Sequence, residues 1–352
     1  MTNRTFASDN YAGVHPEILE ALAAANHGHA IAYGDDEHTA QLRGVLAEHF
    51  GEPIEVFPVF NGTGANVTAL QAMLPPWGAV ICSSHAHIHT DEGAAPERVA
   101  GIKLLPVPTE DGKLTPALID TEAFGWGFEH RAQPLVVSIT QTTELGTVYS
   151  VEEIRAIADH VHAKGMLLHL DGARIANAAA ALNLPLRAFT RDAGVDVLSF
   201  GGTKNGIMFG EAVVALTPEA VVGLKYIRKF NMQLASKMRF ISAQLVALMQ
   251  GDLWLRSARH ANAMAARLRV ALEAAISEGR APGLGFTQPT QANAIFATLP
   301  PGVADTLREH VRFYDWDEAR GEVRWMCAFD TTERDVDAFV DLICRELQAV
   351  GA

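Results

Sequence analysis

Along the first two thirds of the chain, short apolar runs alternate with longer stretches in which apolar residues recur at helical spacing. The runs at 55–60, 79–84, 102–107, 135–140, 166–171 and 195–201 have strand length, and the stretches at 63–74, 115–124, 151–164 and 173–182 have helix length. The stretch at 151–164 shows why. Ser150, with Glu153 three residues on, makes a capping box that starts a helix, and Gly165 follows its end. Val151, Ile154, Ile157, Ala158 and Val161 then share one face, which packs on a sheet. Strand–helix alternation of this kind predicts an α/β fold: an open, mostly parallel sheet with helices on both faces.

The pattern changes after about Leu216. Residues 218–230, 233–249 and 253–279 read as successive helices, followed by strand-like runs at 292–299, 312–314 and 322–327 and a last helix near 333–349. The end of the chain reads as a smaller α/β domain, with the turn-rich segment APGLGFTQP around Pro282 leading into it. The division is an N-terminal segment, 1–14, a large domain, 15–250, and a small C-terminal domain, 251–352. A chain of 352 residues suits two domains better than one core.

Composition narrows the function classes. At 49% hydrophobic and 20% charged residues the chain has an ordinary globular make-up. A net charge of -13 argues against nucleic acid and anionic membranes as partners, and leaves a local basic pocket for a small anion open. Cys82, Cys327 and Cys344 form neither a CxxC nor a Cys/His metal pattern, so they read as reduced thiols in a reducing compartment. The start, MTNRTFASDNYAG, has no apolar core of a secretory signal, and no uncharged apolar stretch reaches the ~20 residues of a membrane span. The expectation is a cytoplasmic protein.

Candidate chemistry gathers at predicted strand ends. HLDGARIAN puts Asp171 at the end of one strand, and SFGGTKNG puts Lys204 just past another. Ligands of open α/β sheets bind at that edge. Singly, Asp171 could cap a helix and Lys204 sit in a surface turn. Together they suit pyridoxal phosphate, which needs a lysine for a Schiff base and an acid to keep its ring nitrogen protonated. FNGTGANVTAL runs from a strand through a Gly-rich turn into a helix. Gly62, Thr63 and Gly64 there offer backbone N–H groups to a phosphate, or simply make a tight connection. No P-loop lysine and no GxGxxG follow, which disfavours nucleotides. SSHAHIHTDEGAAPE carries His85, His87 and His89 in alternation. A zinc ladder on a strand is one reading of this segment. The favoured one has a histidine stacking on a cofactor ring and no metal.

These blocks, in their order and spacing, resemble the L-threonine aldolases: SDN at Ser8 to Asn10, YGDD from Tyr33, FNGTGAN, HIHTDEGAA, HLDGARIANA, the Lys204 segment, and EVRWMCAFDTTERDV near the end. The resemblance covers nearly the whole chain. It implies a type I pyridoxal-phosphate fold, with a mostly parallel seven-stranded sheet between helices and a smaller C-terminal domain, in the group of β-eliminating lyases. It implies Gly62 and Thr63 as the phosphate turn, His87 as the ring-stacking histidine, Asp171 as partner of the ring nitrogen and Lys204 as the Schiff-base lysine. Ser8, Arg174 and Arg324 match groups that hold a substrate carboxylate, and a bidentate arginine fits that task. His130 matches a second active-site histidine. Tyr33 and Arg239 match positions reached from a neighbouring subunit, so a homodimer or homotetramer with shared sites is implied.

The reaction implied is cleavage of a β-hydroxy-α-amino acid into glycine and an aldehyde, with His87 or His130 as the base. An aminotransferase or β-eliminating lyase would use the same lysine, aspartate and turn; a zinc-dependent or non-catalytic protein would use the histidines instead. The sequence departs from the common pattern in TQTTELG, where many members have Asn-Thr-His-Asn-Gly, and in the Gly202–Thr203 pair before the lysine. The aldehyde preferred, aliphatic or aromatic, stays open.

Overall fold

The computed structural model describes residues 5–350, so the first four and last two residues of the assigned domains lie outside it. Its centre is a seven-stranded sheet made of β1 (Glu55–Val59), β2 (Gly78–Ser83), β3 (Lys103–Val107), β4 (Gln133–Thr140), β5 (Leu167–Gly172), β6 (Val197–Gly201) and β7 (Glu211–Ala215), in the order β1-β7-β6-β5-β4-β2-β3. Strands β3, β2, β4, β5 and β6 run parallel, and β7 lies antiparallel between β6 and β1. The fully buried pattern of β2, β6 and β7 is what a sheet covered on both faces requires.

Sequence periodicity located six of these strands. The seventh, EAVVA, follows β6 after a glycine-rich turn and was not assigned. The helices Pro16–Ala25 and Glu37–Phe50 were likewise unassigned. Their buried residues are few and their remaining positions face water, so the apolar stripe is narrow. The expected helix at 218–230 is broken into a single turn, Pro218–Ala220, and the helix Leu224–Phe230, with Gly223 at φ +68 between them. The expected helix at 233–249 starts only at Arg239, and the run at 312–314 lies one step early of its strand.

The second sheet is small and wholly antiparallel: β8 (Gly285–Phe286), β9 (Ala294–Thr298), β10 (Tyr314–Asp317) and β11 (Glu322–Met326), ordered β10-β11-β9-β8. The long helix Leu253–Ser277 joins the two units. Leu253, Trp254 and Ala258 belong to the large core, whereas Met264, Leu268 and Leu272 belong to the small one. The N-terminal segment belongs to the small core too. Phe6 stacks on Phe339 of the last helix at 4.4 Å, its N–H donates to Arg312, and its carbonyl accepts from Met326 N.

Candidate active site

The ends of β5 and β6 meet where the chain can come closest. A Cβ on Gly201 would lie 2.5 Å from the Ala173 carbonyl oxygen and 2.7 Å from its Cα, so only glycine lets the end of β6 pass the exit of β5. Beyond it the Gly202 N–H donates to Glu211 Oε2 at 2.6 Å, and a single turn, Thr203–Asn205, is pinned by Asn205 Nδ2 on the Trp254 carbonyl at 2.9 Å. This turn carries Lys204 into a cavity shared with Gly62, Asn66, His87, Asp171 and Arg174. Burial, and then the Arg174 charge, lower the Lys204 pKa; Asp9, Asp171 and Glu211 pull the other way. The result favours an uncharged, nucleophilic amine.

Asp171 is held by neighbours on both oxygens. Oδ1 accepts from Ala173 N at 3.0 Å and Oδ2 from Asn66 Nδ2 at 2.9 Å. The other Nδ2 hydrogen of Asn66 goes to Glu92 Oε1 at 2.8 Å. That same oxygen lies 2.9 Å from Nδ1 of His87. The Glu92 side chain is fully buried, so it fixes the imidazole: Nδ1–H is given to Glu92 and Nε2 faces away from it. The hydrogen bond to Glu92 raises the His87 pKa, against burial, which lowers it.

The glycine-rich turn leaves backbone donors free at the start of its helix. Asn61 caps the helix Gly62–Met73, its Oδ1 accepting from Gly64 N at 2.7 Å, which leaves the Gly62 and Thr63 N–H groups with no acceptor inside the helix. Nothing lies within 4 Å of where a Gly62 Cβ would be, so the space before these donors is open.

The two arginines differ in place: Arg174 lines this cavity and Arg324 does not. Arg174 Nε donates to Asp9 Oδ2 at 2.7 Å and Nη2 to Asp9 Oδ1 at 2.9 Å; Nη2 also meets Met326 Sδ at 3.1 Å. Its Nη1 has no partner among the described residues. Arg324, on β11, donates to the Ala7 carbonyl at 3.3 Å and leaves a buried Nε unpartnered. It lines an outer cleft with Leu145, Tyr314 and Trp316. Burial and the nearby Arg174 charge push its pKa down to about 10. Ser8 Oγ accepts from Asn10 N at 3.2 Å and so starts the turn that seats Asp9.

Six expected site residues do not line the Lys204 cavity of this chain: Thr63, Ser8 and Arg324, described above, and His130, Tyr33 and Arg239. His130 is on an exposed turn, its side chain 72% exposed, beside Glu129 and Phe128. Tyr33 is half exposed under the Lys229 ammonium, and Arg239 donates to the Gly28 carbonyl at 3.4 Å. The zinc ladder fails on geometry: β2 ends at Ser83, and His87 and His89 lie on a one-turn helix, His87–Thr90. Among the described residues no three metal-ligating side chains converge.

Sequence reasoning missed Asp9, Asn66, Glu92 and Glu144. Each stands inside a sequence block already quoted, but only Asp9 adjoins an assigned residue, Ser8. Glu144 is the least expected. Its Oε1 accepts from His87 N at 2.8 Å and Thr140 Oγ1 at 2.9 Å, and its Oε2 is buried without a partner. Burial, and then the Asp171 charge, push its pKa up to about 7.

The chain matches the beta-eliminating lyase family over residues 5–282. It is 45% identical to a low specificity L-threonine aldolase of Pseudomonas aeruginosa, covering 94% of this chain and 95% of that protein. It is 44% identical to the protein of the same description in Pseudomonas sp., covering 95% of each. A solved threonine aldolase structure from Leishmania major superimposes with a TM-score of 0.90 at 31% identity, over 97% of this chain and 99% of that one.

Proposed function

This chain belongs to the beta-eliminating lyase family, and on that premise we propose how its residues divide the work of a lyase. It is a pyridoxal-phosphate-dependent threonine aldolase, which cleaves β-hydroxy-α-amino acids such as L-threonine into glycine and an aldehyde. The observation that carries the assignment of roles is the single cavity that holds Lys204, Asp171 and the open turn at Gly62.

The donor set fits the cofactor. An amine of lowered pKa, a carboxylate and an imidazole lining one cavity, and free N–H groups at the helix start that borders it, match its aldehyde, ring nitrogen, ring face and phosphate. Bound there, it supplies an aldehyde that condenses with amines and a protonated ring that draws electrons from the bond being broken. Lys204 would hold it covalently, Asp171 would keep its ring nitrogen protonated, Gly62 and Thr63 would hold its phosphate, and His87 would cover its face.

On the substrate side, Arg174 Nη1 and the free N–H groups of Arg324 bind the carboxylate, with Ser8 beside them. Asp9 keeps Arg174 aimed. Fixing the carboxylate fixes the rotation of the substrate about its Cα, which selects the Cα–Cβ bond for cleavage. The β-hydroxyl proton must leave as that bond breaks. His87, whose Nε2 is free once Nδ1–H is given to Glu92, is one group on this wall able to receive a proton. The large unit, 15–250, carries the cofactor groups, and the small unit, 251–352, supplies Arg324.

The protein works as a homodimer or homotetramer. Ile31, Tyr33, Tyr226, Phe230 and Met232 are exposed apolar side chains, and the Tyr33 N–H bonded to Ser236 O ties their two segments together. Tyr33 and Arg239 lie in this region and serve the neighbouring subunit's site. Three buried thiols, with no disulfide among the described residues, suit a cytoplasmic location.

Replacing Lys204 and Asp171 tests the roles. Lys204→Ala abolishes aldehyde release from L-threonine and the visible absorption of lysine-linked cofactor. Asp171→Ala weakens cofactor binding and turnover together. A Lys204→Ala protein that keeps both absorption and turnover overturns the assignment, and light scattering that finds a fully active monomer overturns the shared site.

A further inference from the structure

The cavity contains a carboxyl group with no task so far. Building on the aldolase reading, we propose that Glu144 is the base that takes the proton from the substrate's β-hydroxyl, with Oε2 as the receiving atom.

Three observations lead there. The two oxygens of Glu144 are not equivalent: Oε1 is held by the His87 N–H and the Thr140 hydroxyl, whereas Oε2 is buried with no donor near it. A buried acceptor left bare carries a free-energy cost, relieved when a ligand brings a donor. Second, the side chain lines the same cavity as Lys204, Asp171 and Arg174, so the ligand in question is the substrate. The substrate's amine belongs to Lys204 and the cofactor, and its carboxylate to the arginines. Its hydroxyl is the donor that remains, and also the one the reaction must strip. Third, the setting keeps a proton mobile. Asp171 on β5, Cys82 on β2, Tyr149, His87, Glu92, Arg174 and Lys204 are titratable and charged groups around Glu144, and the carboxyl is pushed up to about 7, where both of its forms are populated.

The step balances on its own. The O–H bond breaks and its proton goes to Oε2. The oxygen's electron pair becomes the second C–O bond of the aldehyde, and the Cα–Cβ bond breaks with its pair left on the Cα side. Glu144 then returns the same proton to Cα, making the new C–H bond of glycine. No oxidant, reductant or further acid is consumed.

Glu144→Gln tests the role, since the amide oxygen can still accept from His87 N and Thr140. With cofactor-loaded enzyme and L-threonine, the variant is expected to lose kcat by about 10²–10⁴-fold with little change in KM. The wild-type rate rises with pH through a limb near 7, because the base acts when ionised, and that limb disappears in the variant. Cofactor absorption stays as in the wild type. Independently of turnover, infrared difference spectra of the full chain minus Glu144→Gln, taken before cofactor is added so that the Glu211 acid common to both cancels, show a carboxylic-acid carbonyl band that bleaches as pH rises through about 7. A variant with wild-type kcat and an intact limb, or a difference spectrum without that band, overturns the role of Glu144. A wild-type enzyme that releases no aldehyde overturns the aldolase reading itself.

Discussion

Asp9 and Arg174 face each other as two planes joined by parallel hydrogen bonds, 2.7 and 2.9 Å long, between parts of the chain 165 residues apart. A third donor, Asn293 Nδ2, reaches Asp9 Oδ2 at 3.1 Å. Burial alone would raise the Asp9 pKa, but the guanidinium outweighs it and holds the carboxyl below its ordinary range. The stability this contributes is complete above the ordinary value of 3.8 and is lost as pH falls through the lower folded value. Asp9→Ala leaves a buried cation unpaired and is expected to cost about 3–5 kcal/mol of stability. Asp9→Asn keeps the shape but loosens the aim of Arg174, raising KM for L-threonine by about 10-fold, the equivalent of about 1.4 kcal/mol. Denaturant titration and steady-state kinetics of the two variants measure these effects; an unchanged KM in Asp9→Asn removes the aiming role.

Glu211 gives a prediction of opposite sign. It lies buried on β7, accepts from Gly202 N, and is pushed up to about 7, chiefly by burial. Because its folded pKa is above the unfolded one, the unfolded chain ionises first, and stability falls as pH rises from the ordinary value of 4.5 to about 7. A shift of this size corresponds to about 3 kcal/mol. Glu211→Gln removes that share, so the variant should lose less stability than the wild type between about pH 5 and about pH 8. Thermal melts of both proteins across that range decide it; parallel curves count against a buried neutral acid.

The close pass at Gly201 can be tested with one methyl group. The obstacles to a Cβ there are backbone atoms of Ala173, which cannot rotate away, so Gly201→Ala must push β6 off β5. A cost of about 1–3 kcal/mol or more is expected. Asp171 and Lys204 move apart with their strands, so cofactor affinity falls in step with melting temperature. A variant with native melting temperature and native affinity would show that the strands are not in contact at this point.

Much of this was legible before any coordinates, because the signals were local. The helix at Val151 announced its cap, its face and its stop, and it runs Val151–His162 with the capping box formed as read. Asp171 and Lys204 could be placed because each ends an apolar run. The groups around them could not. Glu92 and Glu144 look like solvated loop acids, since nothing local tells that both carboxylates are buried against His87. Asp9 pairs with a residue far along the chain, a contact that no periodicity encodes. β7 was overlooked because its five residues follow a run of glycines that reads as one long turn. His130 shows the converse: matching a family position fixed its place in the chain, while the fold sets it on an exposed turn.

The seating of Phe6 on Phe339 has a consequence for how a newborn molecule acquires activity. Asp9 is brought to Arg174 in part because Phe6, three residues earlier, is anchored on the last helix and on β11. During synthesis Phe6 must wait for Phe339, far later in the chain. Fragments released early by the ribosome therefore lack an aimed arginine even when Lys204 and its strands are already present. Substrate capture becomes a certificate that translation has passed Phe339.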